Sequence, residues 1–117
     1  MLKGEQPIIN GDGEQTRDFV YVGDVAEANI SAISNHYPDK VFNIGTGIET
    51  SVNHIFRHLK GLINQSFLEK HGDAKKGEQK RSVIDCAKAK EILQWEPQTS
   101  LENGLRKTCE YFRILNS

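Results

Sequence analysis

The sequence predicts an α/β fold built from short strands and about four helices, with α+β character in a chain of this length. Three observations carry that prediction. Runs of β-branched and aromatic residues alternate with segments of helical period. Asn-Gly, Asp-Gly and Gly-Thr-Gly words punctuate the boundaries. Finally, 117 residues with 37% hydrophobic content and a mean hydropathy of −0.56 leave room for one modest core. Only three or four short strands are available, which is thin for a self-contained parallel sheet.

Taken in order, Pro7-Ile8-Ile9 is an apolar run closed by Asn10-Gly11-Asp12-Gly13, so a strand followed by a tight loop is predicted. Residues 17–22, Arg-Asp-Phe-Val-Tyr-Val, read as a second strand. Asp24 is placed to cap a helix over 25–35, with Val25, Ala28, Asn29 and Ala32 at helical spacing and Pro38 beyond its end. Val41-Phe42-Asn43-Ile44 is a third strand, closed by Gly45-Thr46-Gly47, with a short extended piece at 49–51.

Val52, Ile55, Phe56 and Leu59 then fall on one helical stripe, with Ser51 or Thr50 as cap and Gly61 near the end. Residues 64–80, with four lysines and two glycines, read as an exposed loop. Residues 81–84 read as a strand, Asp85 as the cap of a helix over 86–94, and Trp95-Glu96-Pro97 as its stop. A last helix starts near Ser100, with Thr99-x-x-Glu102 resembling a capping box and Leu101, Leu105, Thr108 and Phe112 on one face.

Fifteen Lys and Arg against sixteen Asp and Glu give a net charge of −1, so the chain is no electrostatic binder of nucleic acid or anionic membrane. The longest purely apolar run, 19–22, is far short of the ~20 residues a membrane-spanning helix needs. The first residues lack the apolar stretch of a secretory signal, so the expected location is cytoplasmic. Cys86 and Cys109 form no Cys-x-x-Cys pair and read as ordinary thiols on helices.

The motifs are more informative for what they exclude. Gly11-Asp12-Gly13 and Gly45-Thr46-Gly47 fail the dinucleotide fingerprint, because Thr16 and Thr50 stand where its third glycine belongs. His54 and His58, one helical turn apart, could share a metal. Ile55 stands where a metalloprotease has Glu, however, so they read as solvent-facing residues opposite the Val52/Ile55/Phe56 stripe. No Tyr-x-x-x-Lys, serine elbow or P-loop is present.

Arg17 follows a glycine-rich loop and opens an apolar strand. A sheet can hold its guanidinium there and present planar donors to a phosphate or carboxylate. An ion pair with Asp18, Asp12 or Glu14 is the other reading of the same spacing. Lys75, Lys76, Lys80 and Arg81 form the one dense basic patch, which by itself reads as a solvated face.

Four words in order give these residues a common frame: Gly-Asp-Gly-Glu-Gln-Thr-Arg-Asp-Phe-Val-Tyr-Val-Gly-Asp-Val-Ala (11–26), Phe-Asn-Ile-Gly-Thr-Gly (42–47), Ala-Lys-Glu-Ile-Leu-Gln-Trp-Glu-Pro (89–97) and Ser-Leu-Glu-Asn-Gly-Leu (100–105). Over nearly its whole length the chain resembles the C-terminal part of NAD-dependent nucleotide-sugar epimerases and dehydratases, the extended short-chain dehydrogenase family, of the UDP-glucose 4-epimerase kind.

The resemblance implies a single partial domain over 1–117, the substrate-binding lobe, with the Rossmann domain absent. Its implied ligand is a UDP- or dTDP-sugar; this chain itself would hold no cofactor, NAD being bound elsewhere in the parent family. It further implies that Ile8 and Asn10 line the nucleobase site largely through main chain. Arg17 would grip the diphosphate, Lys75 would stand in for an Arg that also meets it, and Glu78 would replace an Asp that meets the ribose.

Lys75 turns a bidentate grip into a point charge, and Glu78 adds a methylene of reach. Arg81 could take over part of the Lys75 role. Without the glycine loop and the Tyr-x-x-x-Lys pair the chain alone is expected to be inactive, as a truncated form, an internally initiated product or a gene remnant. Strands such as 41–44 are expected to expose edges and apolar faces, favouring self-association. The alternative is a stand-alone, non-catalytic binding or interaction module derived from the same lobe.

Overall fold

The computed structural model describes residues 1–34, 36–38 and 41–116. Among them are four helices, α1 (Val22–Ser34), α2 (Val52–Ile63), α3 (Ala87–Ile92) and α4 (Leu101–Leu115), and four two-residue strands, β1 (Ile9–Asn10), β2 (Thr16–Arg17), β3 (Thr50–Ser51) and β4 (His71–Gly72). β1 pairs parallel with β4, Ile9 opposite His71, and β2 pairs antiparallel with β3, Thr16 opposite Ser51. The expected mixture of short strands and about four helices is therefore present, as two small sheets.

The chain is a slab. Its axes measure 49 × 36 × 19 Å and its radius of gyration is 16.7 Å, where a rounded chain of this length has about 13 Å. Two small apolar clusters sit within it: Ala28, Ala89, Leu93 and Trp95 join α1 to α3, while Ile9, Phe56 and Phe67 join β1 to α2. Much apolar surface stays uncovered, including Val22, Ile33, Val41 and Ile114, all more than 70% exposed.

Local signals held where the forces are local. α2 begins where its stripe begins, and Ser51 Oγ accepts the His54 N–H at 3.2 Å. Gly11 and Gly13 have φ of +65° and +74°, the left-handed backbone the Asn-Gly and Asp-Gly words call for. The helix expected over 86–94 is shorter, α3 spanning Ala87–Ile92 with Cys86 rather than Asp85 at its N-cap, although Asp85 Oδ1 accepts the Ala87 N–H at 2.9 Å just before it; Gln94, at φ +54°, lies beyond its end.

Several expectations are corrected. The predicted strand 17–22 stops at Arg17, because β3 offers only two residues to pair with, and Val22 already belongs to α1. Asp24 does not cap that helix. It lies buried in the first turn, and Tyr21 O takes the terminal N–H groups of Asp24 and Val25 instead. The predicted end at Asn35 lies outside the described residues.

Segments 41–44 and 81–84 form no strand, since neither finds a pairing partner among the described residues. Within the first of them Val41 is exposed, but Phe42 and Ile44 pack on the α1/α3 cluster, so its apolar face is only partly open. The loop 64–80 contains β4, which its polar composition concealed.

At α4, Ser100 is the cap, its Oγ accepting the Asn103 N–H at 3.3 Å; Thr99 is engaged with Asp24. The buried positions of α4 are Gly104 and Cys109, and Phe112 is 47% exposed, so the inward face is rotated from the one predicted. Of the two cysteines, Cys109 lies on a helix and Cys86 at the N-cap of α3. No described helix is long and apolar enough to cross a membrane.

Candidate functional site

The loop after β1 and the segment 74–81 face each other across a cavity of about 450 Å³, lined among others by Asn10, Gln15, Lys75, Glu78 and Lys80. Strand pairing sets one wall. Ile9 N–H donates to Lys70 O at 2.9 Å and Gly11 N–H to Gly72 O at 3.0 Å, which carries Asn10 to the rim. The opposite wall is a turn: Glu78 N–H donates to Lys75 O at 3.2 Å, and Gly77, at φ +76°, takes the third position.

Arg17 is tied to that wall. Its Nη1 donates to Thr16 O at 2.6 Å and to Gln79 O at 2.7 Å, its Nη2 stands 3.5 Å from Glu78 Oε1, and the neighbouring Thr16 N–H donates to Lys80 O at 2.9 Å. The ion pair expected with Asp18, Asp12 or Glu14 is not formed. Asp18 takes the Thr46, Gly47 and Ile84 N–H groups and the Thr46 hydroxyl, Asp12 takes the Glu14 N–H, and Glu14 takes the Asn53 amide. The carboxylate partner of Arg17 is Glu78, across 61 positions of sequence.

The site residues named from the sequence thus divide. Asn10, Lys75 and Glu78 line one cavity, and Arg17 reaches it through Glu78. Ile8 does not line it: its side chain is exposed beside Gly72, while the neighbouring Ile9 points into the α2 cluster. Lys75 is exposed, as a lysine acting as a point charge would be. Arg81 also lines the cavity, but its guanidinium is engaged by Glu49, Nε and Nη2 reaching the two carboxylate oxygens at 3.0 and 2.6 Å. That fork, with help from the Thr16 hydroxyl, pulls the Glu49 carboxyl down to about 2.

Sequence reasoning missed Gln15. Its Nε2 donates to Asn10 O at 3.1 Å and to Glu78 Oε2 at 3.5 Å, bridging the two walls. The available signal was alternation. Gln15 and Arg17 are two apart in an extended segment and so share a face; Thr16, between them, turns the other way to donate to Glu49 at 2.8 Å. Thr16 also lines a larger cavity of about 700 Å³ with Phe19, His54 and Leu101, and no Lys or Arg is among its described lining residues; the smaller cavity sets Lys75, Lys80 and Arg81 against Asp12, Glu14 and Glu78.

His54 is exposed, whereas His58 is half-buried with Nε2 3.9 Å from Glu102, so only the first is solvent-facing. Their rings stand 4.6 Å apart, and no group of three metal-ligating side chains occurs among the described residues.

A sequence profile described as GDP-mannose 4,6 dehydratase matches residues 1–108. The chain belongs to this family of NAD-dependent nucleotide-sugar epimerases and dehydratases. Relatives within it include the putative UDP-glucose 4-epimerase of Methanocaldococcus jannaschii, 43% identical over 119 residues, covering 99% of this chain and 37% of the relative. The UDP-glucose 4-epimerase of Mycolicibacterium smegmatis is 36% identical, covering 97% and 36%.

Among solved structures of the family, UDP-glucose 4-epimerase of Thermotoga maritima with UDP-glucose superposes with a TM-score of 0.93 at 46% identity, covering 100% of this chain and 38% of that one. UDP-glucuronic acid 4-epimerase of Bacillus cereus in complex with NAD superposes at 0.82 and 29% identity, covering 99% and 37%. The chain thus spans little more than a third of the length of the family members it matches.

Proposed function

We propose that residues 1–117 act as one nucleotide-sugar-binding lobe of an NAD-dependent epimerase or dehydratase whose substrate is a UDP- or dTDP-sugar. The observation that carries this reading is the seating of Arg17. A guanidinium held by two carbonyl oxygens keeps its orientation, while its contact to Glu78 at 3.5 Å is longer than the 2.7–2.9 Å of a good charge-assisted bond. A diphosphate oxygen can take the place of that contact at little cost. In this reading Arg17 and Lys75 meet the diphosphate, Glu78 turns to the ribose, and the main chain at Ile8 and Asn10 borders the base.

The glycine turns support assigning NAD to residues outside this lobe. A pyrophosphate cradle needs free N–H groups at a helix N-terminus, whereas the Thr46 and Gly47 N–H groups are spent on Asp18 and the Gly11 N–H on Gly72. Hydride transfer from the sugar then falls to the remainder of the enzyme, and residues 1–117 alone turn nothing over.

Titration calorimetry of residues 1–117 tests the proposal. UDP-glucose or dTDP-glucose should bind weakly, and Arg17→Ala should reduce that affinity about tenfold or more. Tight NAD binding, or nucleotide-sugar affinity indifferent to Arg17, would contradict it; the latter result favours a non-catalytic interaction module.

A further inference from the structure

The loop that carries Gln15 into the cavity is held from behind by the first turn of α2. Val52 N–H donates to Gln15 O at 3.1 Å and Asn53 N–H to Gly13 O at 3.0 Å. The Asn53 side chain adds two more bonds, Nδ2 donating to Asp12 O at 2.9 Å and to Glu14 Oε1. Asn53 is 4% exposed, and its Oδ1 is the one buried side-chain polar atom among the described residues without a partner. Turning the amide over would not rescue Oδ1, since it would then face the Asp12 carbonyl and the Glu14 carboxylate, both acceptors.

That orphaned oxygen explains Gly13. With φ at +74°, a Cβ on Gly13 would fall 1.8 Å from Asn53 Oδ1. The loop therefore lies flat on the amide, at the cost of one unsatisfied acceptor. What the arrangement secures is the position of Gln15, whose side chain spans Asn10 O and Glu78 Oε2 on the cavity side.

We infer that Asn53 is a positioning residue of the nucleotide site: it touches no part of the cavity but fixes the 12–15 loop, and through Gln15 the spacing of its two walls. This rests on the nucleotide reading above and deepens it. The charged groups near the Asn53 amide are Asp12 and Glu14 on the loop and Arg57 one turn further along α2. A carboxylate at position 53 would therefore face two acceptors, whereas a donor at position 14 would restore one of the two bonds and leave only the Asp12 carbonyl opposed to it.

The experiment is a four-point cycle of UDP binding to residues 1–117: wild type, Asn53→Asp, Glu14→Gln, and both together, each at pH 5 and pH 8 with melting temperature recorded. Asn53→Asp is expected to weaken UDP binding about tenfold at pH 8 and less at pH 5, where the introduced carboxyl is partly protonated. The double variant is expected to return to within about threefold of wild type, because the amide that Glu14→Gln introduces donates to the carboxylate.

A folded Asn53→Asp variant with wild-type affinity overturns the inference. If that variant does not fold, the double variant decides: wild-type affinity upholds the inference, and affinity that stays weak in a folded chain overturns it. UDP binding absent from the wild type overturns the proposed function and this inference together, whereas binding that responds to Arg17→Ala but not to Asn53 overturns this inference alone.

Discussion

Asp24 and Thr99, 75 positions apart, are joined twice: Thr99 N–H donates to Asp24 Oδ2 at 2.9 Å and Thr99 Oγ1 to Asp24 Oδ1 at 3.0 Å. The Asp24 carbonyl oxygen meanwhile accepts the Trp95 indole N–H at 2.9 Å, in a buried bond. One residue in the first turn of α1 thus fixes the chain segment that leads into α4. Asp24→Ala is expected to cost about 2–4 kcal/mol, since two donors lose a charged acceptor. Trp95→Phe, which removes the buried indole N–H bond to the Asp24 carbonyl, is expected to cost about 1 kcal/mol. Urea denaturation followed by circular dichroism measures both.

Acid should loosen the fold in a defined window. Burial pushes the Asp18 carboxyl up, but hydrogen bonds from the Thr46 side chain and from the Thr46, Gly47 and Ile84 N–H groups together hold it below 3.8. Glu49 is lowered from 4.5 to about 2, first by its hydrogen bond from Arg81 and then by Thr16. A carboxyl depressed in the folded state stabilises above its unfolded value, and that stabilisation is lost as pH falls through the folded value. The urea midpoint is therefore expected to fall between pH 4.5 and 2. Glu49→Gln should flatten part of that slope, and an unchanged profile would remove Glu49 from the account.

Gly13→Ala tests the loop geometry directly. Left-handed backbone costs an L-residue about 1 kcal/mol, and the Cβ contact with Asn53 Oδ1 forces the loop off α2. A loss of more than about 2 kcal/mol in all is expected. Gly77→Ala, at φ +76° but with open space around it, should lose only the backbone part. Comparing the two by thermal unfolding isolates the Asn53 contact.

Two substitutions separate the diphosphate from the ribose. Lys75→Arg supplies a planar fork in place of a point charge and is expected to raise UDP affinity several-fold. Glu78→Gln is expected to weaken UDP binding while strengthening that of inorganic pyrophosphate, because Arg17 loses a competing carboxylate. Calorimetry with both anions checks this; parallel changes would remove Glu78 from the ribose.

What was legible in the sequence was what neighbouring residues decide. The α2 stripe and its Ser51 cap follow from interactions within four residues, and Gly11 and Gly13 from a backbone preference. Segments 41–44 and 81–84 read as strands because β-type side chains describe a segment able to pair, not one with a partner. Asp24 looked like a cap because its true partner stands 75 residues away. At the cavity, Lys75 and Glu78 came from motif words and Arg17 also from its place at the start of a strand. Gln15 was open to the alternation that pairs it with Arg17, while Asn53 acts through contacts with a loop about forty residues away that no spacing rule encodes.

The slab shape has a consequence for how the molecule opens. Two small oily clusters with no broad layer between them cannot enforce all-or-none melting by apolar burial alone. Beyond the packing of α4 on α2, the links across the slab are a few polar threads: Asp24 to Thr99, and Asp18 to Thr46 and Ile84. Deuterium uptake at neutral pH is accordingly expected to resolve two opening units, one around Trp95 and one around Phe56, drifting further apart in free energy as acid cuts the Asp18 thread.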